Sequence, residues 1–279
     1  MNRRAMAGVG VALAGFVLGV VAMLQWSNVL DVNPTASTAA TVQPSAMAKP
    51  SATAPPSASS ASANPSFPAN PTPTATPFSK HTYLLDTPAS PWVVVNKHLP
   101  LEPVDHLPPQ LVSLDAVPGG ASHSLIPEAA DALTQLYLAA SGQGAAFTVI
   151  TAYRSFEYQQ GLYNDYVASW GRTRAETFVA RPGFSEHQTG RAVDIYDTRA
   201  CQLDVCFADT AAGQFVAAHA HEYGFIIRYP EGKENITGYQ FEPWHLRYVG
   251  VELATEMYTV GPYTMEEFFG LDAAPTYLE

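Results

Sequence analysis

Only two cysteines, Cys201 and Cys206, occur in the 279 residues, too few for a disulfide-dense scaffold. Basic residues are scarce as well: 14 lysines and arginines stand against 25 aspartates and glutamates, a formal net charge of −11. That balance excludes the basic surface that a nucleic-acid backbone demands, and it argues against binding anionic lipid head groups. Charged residues make up 14% of the chain, and the shortage is local. Up to residue 79 only Arg3, Arg4, Asp31 and Lys49 carry charge. There is no internal repeat and no H-E-x-x-H, so the best-known helix-borne zinc motif is absent. No lipobox cysteine stands at the end of the apolar N-terminal run, which excludes lipidation there.

What is present divides into three regions. Residues 5–24 are an unbroken uncharged apolar run preceded by Arg3 and Arg4. About 20 such residues suffice to span a bilayer as a helix, and the two arginines keep the short N-terminus cytoplasmic. The competing reading is a cleaved signal peptide, with cleavage near the small residues Ala36 to Ala40. Either way the remainder is exported, and residues 1–31 form the anchor or signal segment. Residues 32–79 are rich in Ala, Pro, Ser and Thr. They lack the apolar side chains needed to offset ordering entropy, so a disordered, semi-extended linker is expected. Residues 80–279 have globular composition and the size of one domain.

Within that domain the stretch to Leu125 shows no helical periodicity. Pro127 opens a helix through Leu133, Leu136 and Tyr137, ended by Gly142. Phe147 to Ala152 is β-branched and apolar, a buried strand. Ser155 caps a second helix, and Thr173 to Glu176 reads as a capping box for a third. Ala192 to Tyr196 is a short strand. Asp209 or Thr210 caps a helix through Phe215, Val216 and Tyr223, stopped by Gly224. Phe225–Tyr229 and His245–Val249 read as strands, and Thr264 to Glu267 caps a last short helix. Strands and helices do not alternate strictly, which favours α+β with a small antiparallel sheet and flanking helices.

Two segments carry chemistry: Ser185-Glu186-His187-Gln188-Thr189-Gly190-Arg191-Ala192-Val193-Asp194 and Glu242-Pro243-Trp244-His245. Zinc catalysis needs about three protein ligands, an open position and a nearby base. His187, Asp194 and His245 supply an N/O/N set. Gly190 permits a tight bend that lets a ligand before it converge with one on the strand after it. Glu242 lies close enough before His245 to serve as base without ligating. Taken singly, each residue has a plainer reading: a satisfied core histidine, or an aspartate anchoring a turn. His219 and His221, two apart on a helix, face different sides and read as structural. Trp244 reads as a packing residue that orients its neighbours.

The pattern S-x-H-x-x-G-x-A-x-D followed by E-P-W-H resembles the zinc D-alanyl-D-alanine carboxypeptidases of the VanY type. The likeness runs over roughly Thr151 to Gly250 and includes TAYRSFEYQQGLY, FSEHQTGRAVDI, YGFIIRYP and ITGYQFEPWHLRYVG. It implies a Hedgehog/DD-peptidase-like fold and one Zn²⁺ ion held by His187, Asp194 and His245, with Glu242 as general base. It also implies that Arg154 grips substrate and stabilises the oxyanion, and that Gln159 and Ser185 contact the peptide. For Arg154 the plain alternative is a surface ion pair, and for Ser185 a local turn cap.

The implied reaction is removal of terminal D-alanine from peptidoglycan stem peptides, without the covalent intermediate of serine enzymes. Its alternatives are an L,D-carboxypeptidase on tetrapeptide stems, a wall endopeptidase, or a non-catalytic wall-binding module. The expected partners are stem peptides and, through the N-terminal helix, the membrane; no oligomer is implied. Export would place Cys201 and Cys206 in an oxidising setting, where a disulfide across their short separation is expected.

Overall fold

The computed structural model describes residues 78–261 and 263–279. The expected anchor, and nearly all of the linker, lie outside the described residues. Among the described residues no helix is long and apolar enough to cross a membrane.

Six strands and seven α-helices succeed one another along the described residues. In chain order they are β1 (Val112–Ser113), β2 (Ser124–Leu125), α1 (Pro127–Gly142), β3 (Thr148–Thr151), α2 (Phe156–Trp170), α3 (Arg172–Ala175), β4 (Ala192–Tyr196), α4 (Ala211–His219), β5 (Phe225–Ile227), α5 (Glu234–Thr237), β6 (His245–Tyr248), α6 (Val251–Val260) and α7 (Met265–Phe269). β1 and β2 pair as a small ribbon; the main sheet has the order β3-β4-β6-β5, with every pairing antiparallel. The expected α+β architecture, a small antiparallel sheet with flanking helices, is the one observed.

Strand alternation divides this sheet into two unlike faces. Val149, Val193, Ile195, Phe225 and Leu246 join one apolar core with Leu133 and Leu136 of α1 and Phe215 and Val216 of α4. In α1 the buried positions Ala129, Ala130, Leu133, Leu136 and Ala140 follow the 3.6-residue period. Each fully buried leucine contributes about 1.5–3 kcal/mol relative to exposure. The alternate positions, Asp194, His245 and Arg247, face the other way and are buried nonetheless. A second core covers part of the molecule, joining Trp92 and Val94 to Leu253, Met257, Met265 and Phe268.

Ser155 does cap α2, its hydroxyl accepting from the Tyr158 amide. Thr264 and Glu267 form a full reciprocal capping box on α7. The capping box expected at Thr173–Glu176 does not form: Thr173 lies inside α3, whose N-cap is Gly171 without a side-chain bond. A single four-residue turn begins two residues too early for Thr173 to precede it. The α6 helix was not anticipated, since Gly250 precedes it and provides no side-chain cap.

Candidate metal centre

Sheet register brings the two segments together. Asp194 on β4 sits directly opposite His245 on β6, so their side chains emerge side by side on the polar face. His187 arrives from a 3₁₀ turn, Glu186–Thr189, that precedes β4. Gly190 ends the turn at φ 67°, in the left-handed region that favours glycine. A Cβ there would meet Leu111 Cδ2 at 3.0 Å and Ile126 Cγ2 at 3.1 Å, so any side chain would have to push those two neighbours back by a few tenths of an ångström.

The three side chains converge. One ligand atom from each of His187, Asp194 and His245 lies within 4.8 Å of the others, and all three residues are buried. Asp194 Oδ1 is 3.0 Å from His245 Nδ1, and Asp194 Oδ2 is 3.3 Å from His187 Nε2. His187 Nδ1 is 2.7 Å from the Ala152 carbonyl. That contact makes Nδ1 the donor and leaves the Nε2 lone pair facing Asp194. His187 Nε2 is buried without a hydrogen-bond partner. Donor atoms on a tetrahedral zinc stand roughly 3.3 Å apart, given bond lengths of about 2.0–2.1 Å. The measured spacings and the orphaned nitrogen therefore fit a metal ion.

Glu242 is set beside this trio by a tight turn. The Glu242 carbonyl accepts the His245 amide at 3.1 Å, closing a four-residue turn with Pro243 at its favoured second position. Glu242 Oε2 stands 3.9 Å from His245 Nδ1, near the site but outside bonding distance. Trp244, buried in the main core, anchors the turn.

Electrostatics differ at each group. Burial pushes the Glu242 carboxyl up to about 8, and the nearby Asp194 charge adds to the rise while His245 and Arg154 oppose it. His187 is lowered to about 4 by burial and by the Arg154 charge. For His245 burial again opposes the charged form, but hydrogen bonds to Asp194 and Glu186 outweigh it and raise the ring to about 9. Burial likewise works against ionised Asp194, yet His187 and His245 hold its carboxyl well below the usual range.

The site opens into a cleft of about 470 Å³ whose lining includes Arg154, Ser185, Tyr229 and Glu242 beside the trio. Arg154 lies three residues past the end of β3, and its Nε is buried without a partner. Gln159 is not among the cleft-lining residues: it is wholly buried and donates to the Ala180 carbonyl at 2.7 Å. His219 pairs with Glu222 at 2.9 Å and His221 stacks on Tyr258, both away from the trio, as their spacing implied. Sequence reasoning missed the outer wall of the cleft, Leu162, Tyr166 and Trp170. Their spacing of four along α2 was the available signal. It also missed Glu186, Arg228 and Arg247, which sit wholly buried behind His245. On the rim, Leu203 and Asp204 line the cleft within a loop closed by the Cys201–Cys206 disulfide; the expected pairing is present.

Comparison with known proteins gives consistent matches. The family model VanY, D-alanyl-D-alanine carboxypeptidase, matches residues 122–251. The Bacillus subtilis protein YodJ is 44% identical over 143 residues, which cover 51% of this chain and 52% of YodJ. The chain thus spans about half the length of that relative. The solved LdcB LD-carboxypeptidase is 38% identical with a TM-score of 0.61, over 68% of this chain and 89% of that one. A VanY D,D-pentapeptidase from a VanB-type resistance cassette, solved in complex with Zn(II), is 31% identical with a TM-score of 0.55. That match covers 64% of this chain and 98% of the other.

Proposed function

Because the chain belongs to the VanY family of D-alanyl-D-alanine carboxypeptidases, we propose that it is a zinc enzyme that releases the terminal D-alanine of peptidoglycan stem peptides. The observation that carries this reading is the buried His187–Asp194–His245 cluster with Glu242 just outside it.

His187 through Nε2, Asp194 and His245 through Nδ1 would hold the ion. When bound, zinc supplies an acidified water and polarises the scissile carbonyl. Glu242 receives the proton of the attacking water and passes it to the leaving amine nitrogen of D-alanine. Its carboxyl, raised to about 8 by burial, is brought toward the ionised form by a neighbouring dication. Arg154 presents fixed N–H donors and a permanent charge to the oxygen on which negative charge develops. Ser185 borders the peptide at the cleft wall. Gln159 acts from behind that wall through Ala180, whose carbonyl it holds. No side-chain nucleophile is needed, so β-lactams should not acylate the protein.

We favour the D,D reaction, in keeping with the family's description. The L,D reaction is the second reading, supported by the likeness to LdcB. The two substrates differ at the residue before the cut, in its configuration and in its side chain, a methyl in one and a longer chain in the other. A misfit of one methyl there is worth about 1–3 kcal/mol. Supplying the full chain with a pentapeptide stem ending D-Ala-D-Ala and a tetrapeptide stem ending in one D-Ala decides between them. Faster D-alanine release from the pentapeptide is expected; faster release from the tetrapeptide overturns the D,D assignment.

The setting proposed for this activity is the outer face of the cell membrane, with residues 5–24 as anchor and residues 32–79 as spacer. The Cys201–Cys206 disulfide supports an oxidising compartment. Recovery of the full-length chain from the cytosolic fraction would refute this placement.

A further inference from the structure

We propose that Glu186 is a positioning residue for the metal centre, and that its aim is fixed from outside the family-matched region by Glu266 acting through Arg228. The inference rests on reading His187, Asp194 and His245 as metal ligands. Glu186 is wholly buried and immediately precedes the ligand His187. Its two oxygens do different things. Oε1 accepts from Arg228 Nε at 2.8 Å and from Arg247 Nη1 at 2.8 Å. Oε2 faces His245 Nε2 at 3.5 Å, and neither of those two atoms has another hydrogen-bond partner.

A neutral imidazole has one N–H and one lone pair. A carboxylate facing Nε2 makes that nitrogen the donor. The Nδ1 lone pair then points toward Asp194 Oδ1, 3.0 Å away, where a metal would bind. Without Glu186, rotation of the ring or the other tautomer would take that lone pair off the site.

The carboxylate is itself held. The two remaining nitrogens of Arg228 grip Glu266 through paired bonds of 2.9 and 2.7 Å. Asn96 Nδ2 donates to the same Glu266 at 3.0 Å. Arg247 Nη2 is tied to the Val93 carbonyl at 2.8 Å. Two guanidiniums thus balance two carboxylates, all four fully buried. Glu266 and Asn96 lie outside the family match at residues 122–251, so segments flanking the matched region complete the support. Stability alone does not explain such a cluster, because buried ion networks can often be replaced by apolar groups at no loss. A carboxylate behind a metal-bound histidine does explain it: such partners orient the ring, and losing them costs roughly 10–100-fold in metal affinity or activity.

The test uses the full chain with ¹⁵N-labelled histidine, loaded with zinc, together with Glu186→Gln and Glu266→Gln. Long-range ¹H–¹⁵N correlation of the wild type should place the His245 proton on Nε2. Both variants should bind zinc roughly 10–100-fold more weakly in chelator competition, with kcat falling and KM for the stem peptide little changed. A His245 proton on Nδ1 overturns the inference even if the variants fail to fold. Folded variants with wild-type zinc affinity overturn it too. Wild-type protein that binds zinc no better than His187→Ala overturns the metal reading itself, and the inference with it.

Discussion

At the scale of single residues, the two histidines of the candidate metal centre are held differently. His187, lowered to about 4 by burial and the Arg154 charge, is neutral at ordinary pH. His245, raised to about 9 by Asp194 and Glu186 against the opposing effect of burial, carries a proton there. Metal and proton compete for it. Below about pH 9 zinc must displace that proton, so affinity should rise with pH toward 9, by at most about tenfold per unit for this one group. Calorimetry in buffers of different ionisation enthalpy should detect proton release on binding at pH 7. Binding without proton release, and with pH-independent affinity, would contradict the assignment. Glu242 should behave otherwise, since it stands near the trio without ligating. Glu242→Ala is expected to keep zinc and lose about 10²–10⁴-fold in turnover, whereas His187→Ala and His245→Ala lose both. Zinc content and hydrolysis measured on the same preparations check this; zinc loss with retained activity in Glu242→Ala would sink the role. The convergence of His187, Asp194 and His245 was legible in the sequence because metal chemistry restricts residue type, and the VanY-type resemblance singled out the same residues and implied the role of Glu242. Glu186 was not, because an acidic residue beside a ligand normally signals a solvated position. Only the fold shows that Arg228 and Arg247 enclose it.

At the scale of elements, the same four-residue signal succeeded once and failed once. At Thr264 the capping box forms because Glu267 reaches back to the Thr264 amide while the Thr264 hydroxyl accepts from the Glu267 amide. At Thr173 the matching pattern lies within the helical turn, because α2 ends at Trp170 and α3 starts at Arg172 with Gly171 between them. Local pattern cannot supply that constraint, which comes from where the preceding helix stops. Helix α6 was obscured for a related reason. Its buried positions Leu253, Ala254 and Met257 span little more than one turn, and no polar cap announces them. Strand pairing, by contrast, was unreadable in detail: composition suggested strands, but the Asp194–His245 register depends on all four partners. The α7 cap offers a test of this level of the account. Thr264→Ala should destabilise the protein by about 1 kcal/mol, seen as a lowered thermal midpoint. Because α7 carries Glu266, zinc affinity should weaken with it. An unchanged midpoint would mean that the capping box contributes nothing.

At the scale of the whole molecule, function follows from how one sheet is dressed on two sides. Its apolar face packs on α1 and α4. Its polar face carries Asp194 and His245, His187 joins them from the turn before β4, and a charge-balanced cluster lies behind. The chain is acidic, −11 overall, and the cleft in front of the trio has a volume of about 470 Å³. The central claim is that this face performs zinc-dependent release of D-alanine. It is tested most directly by incubating the full chain with a pentapeptide stem ending D-Ala-D-Ala, first as purified, then after chelation, then after zinc is restored, and quantifying free D-alanine each time. The account predicts release, its loss on chelation, and its recovery with zinc. Release that survives complete removal of the metal, or no release from the zinc-loaded protein, would contradict it.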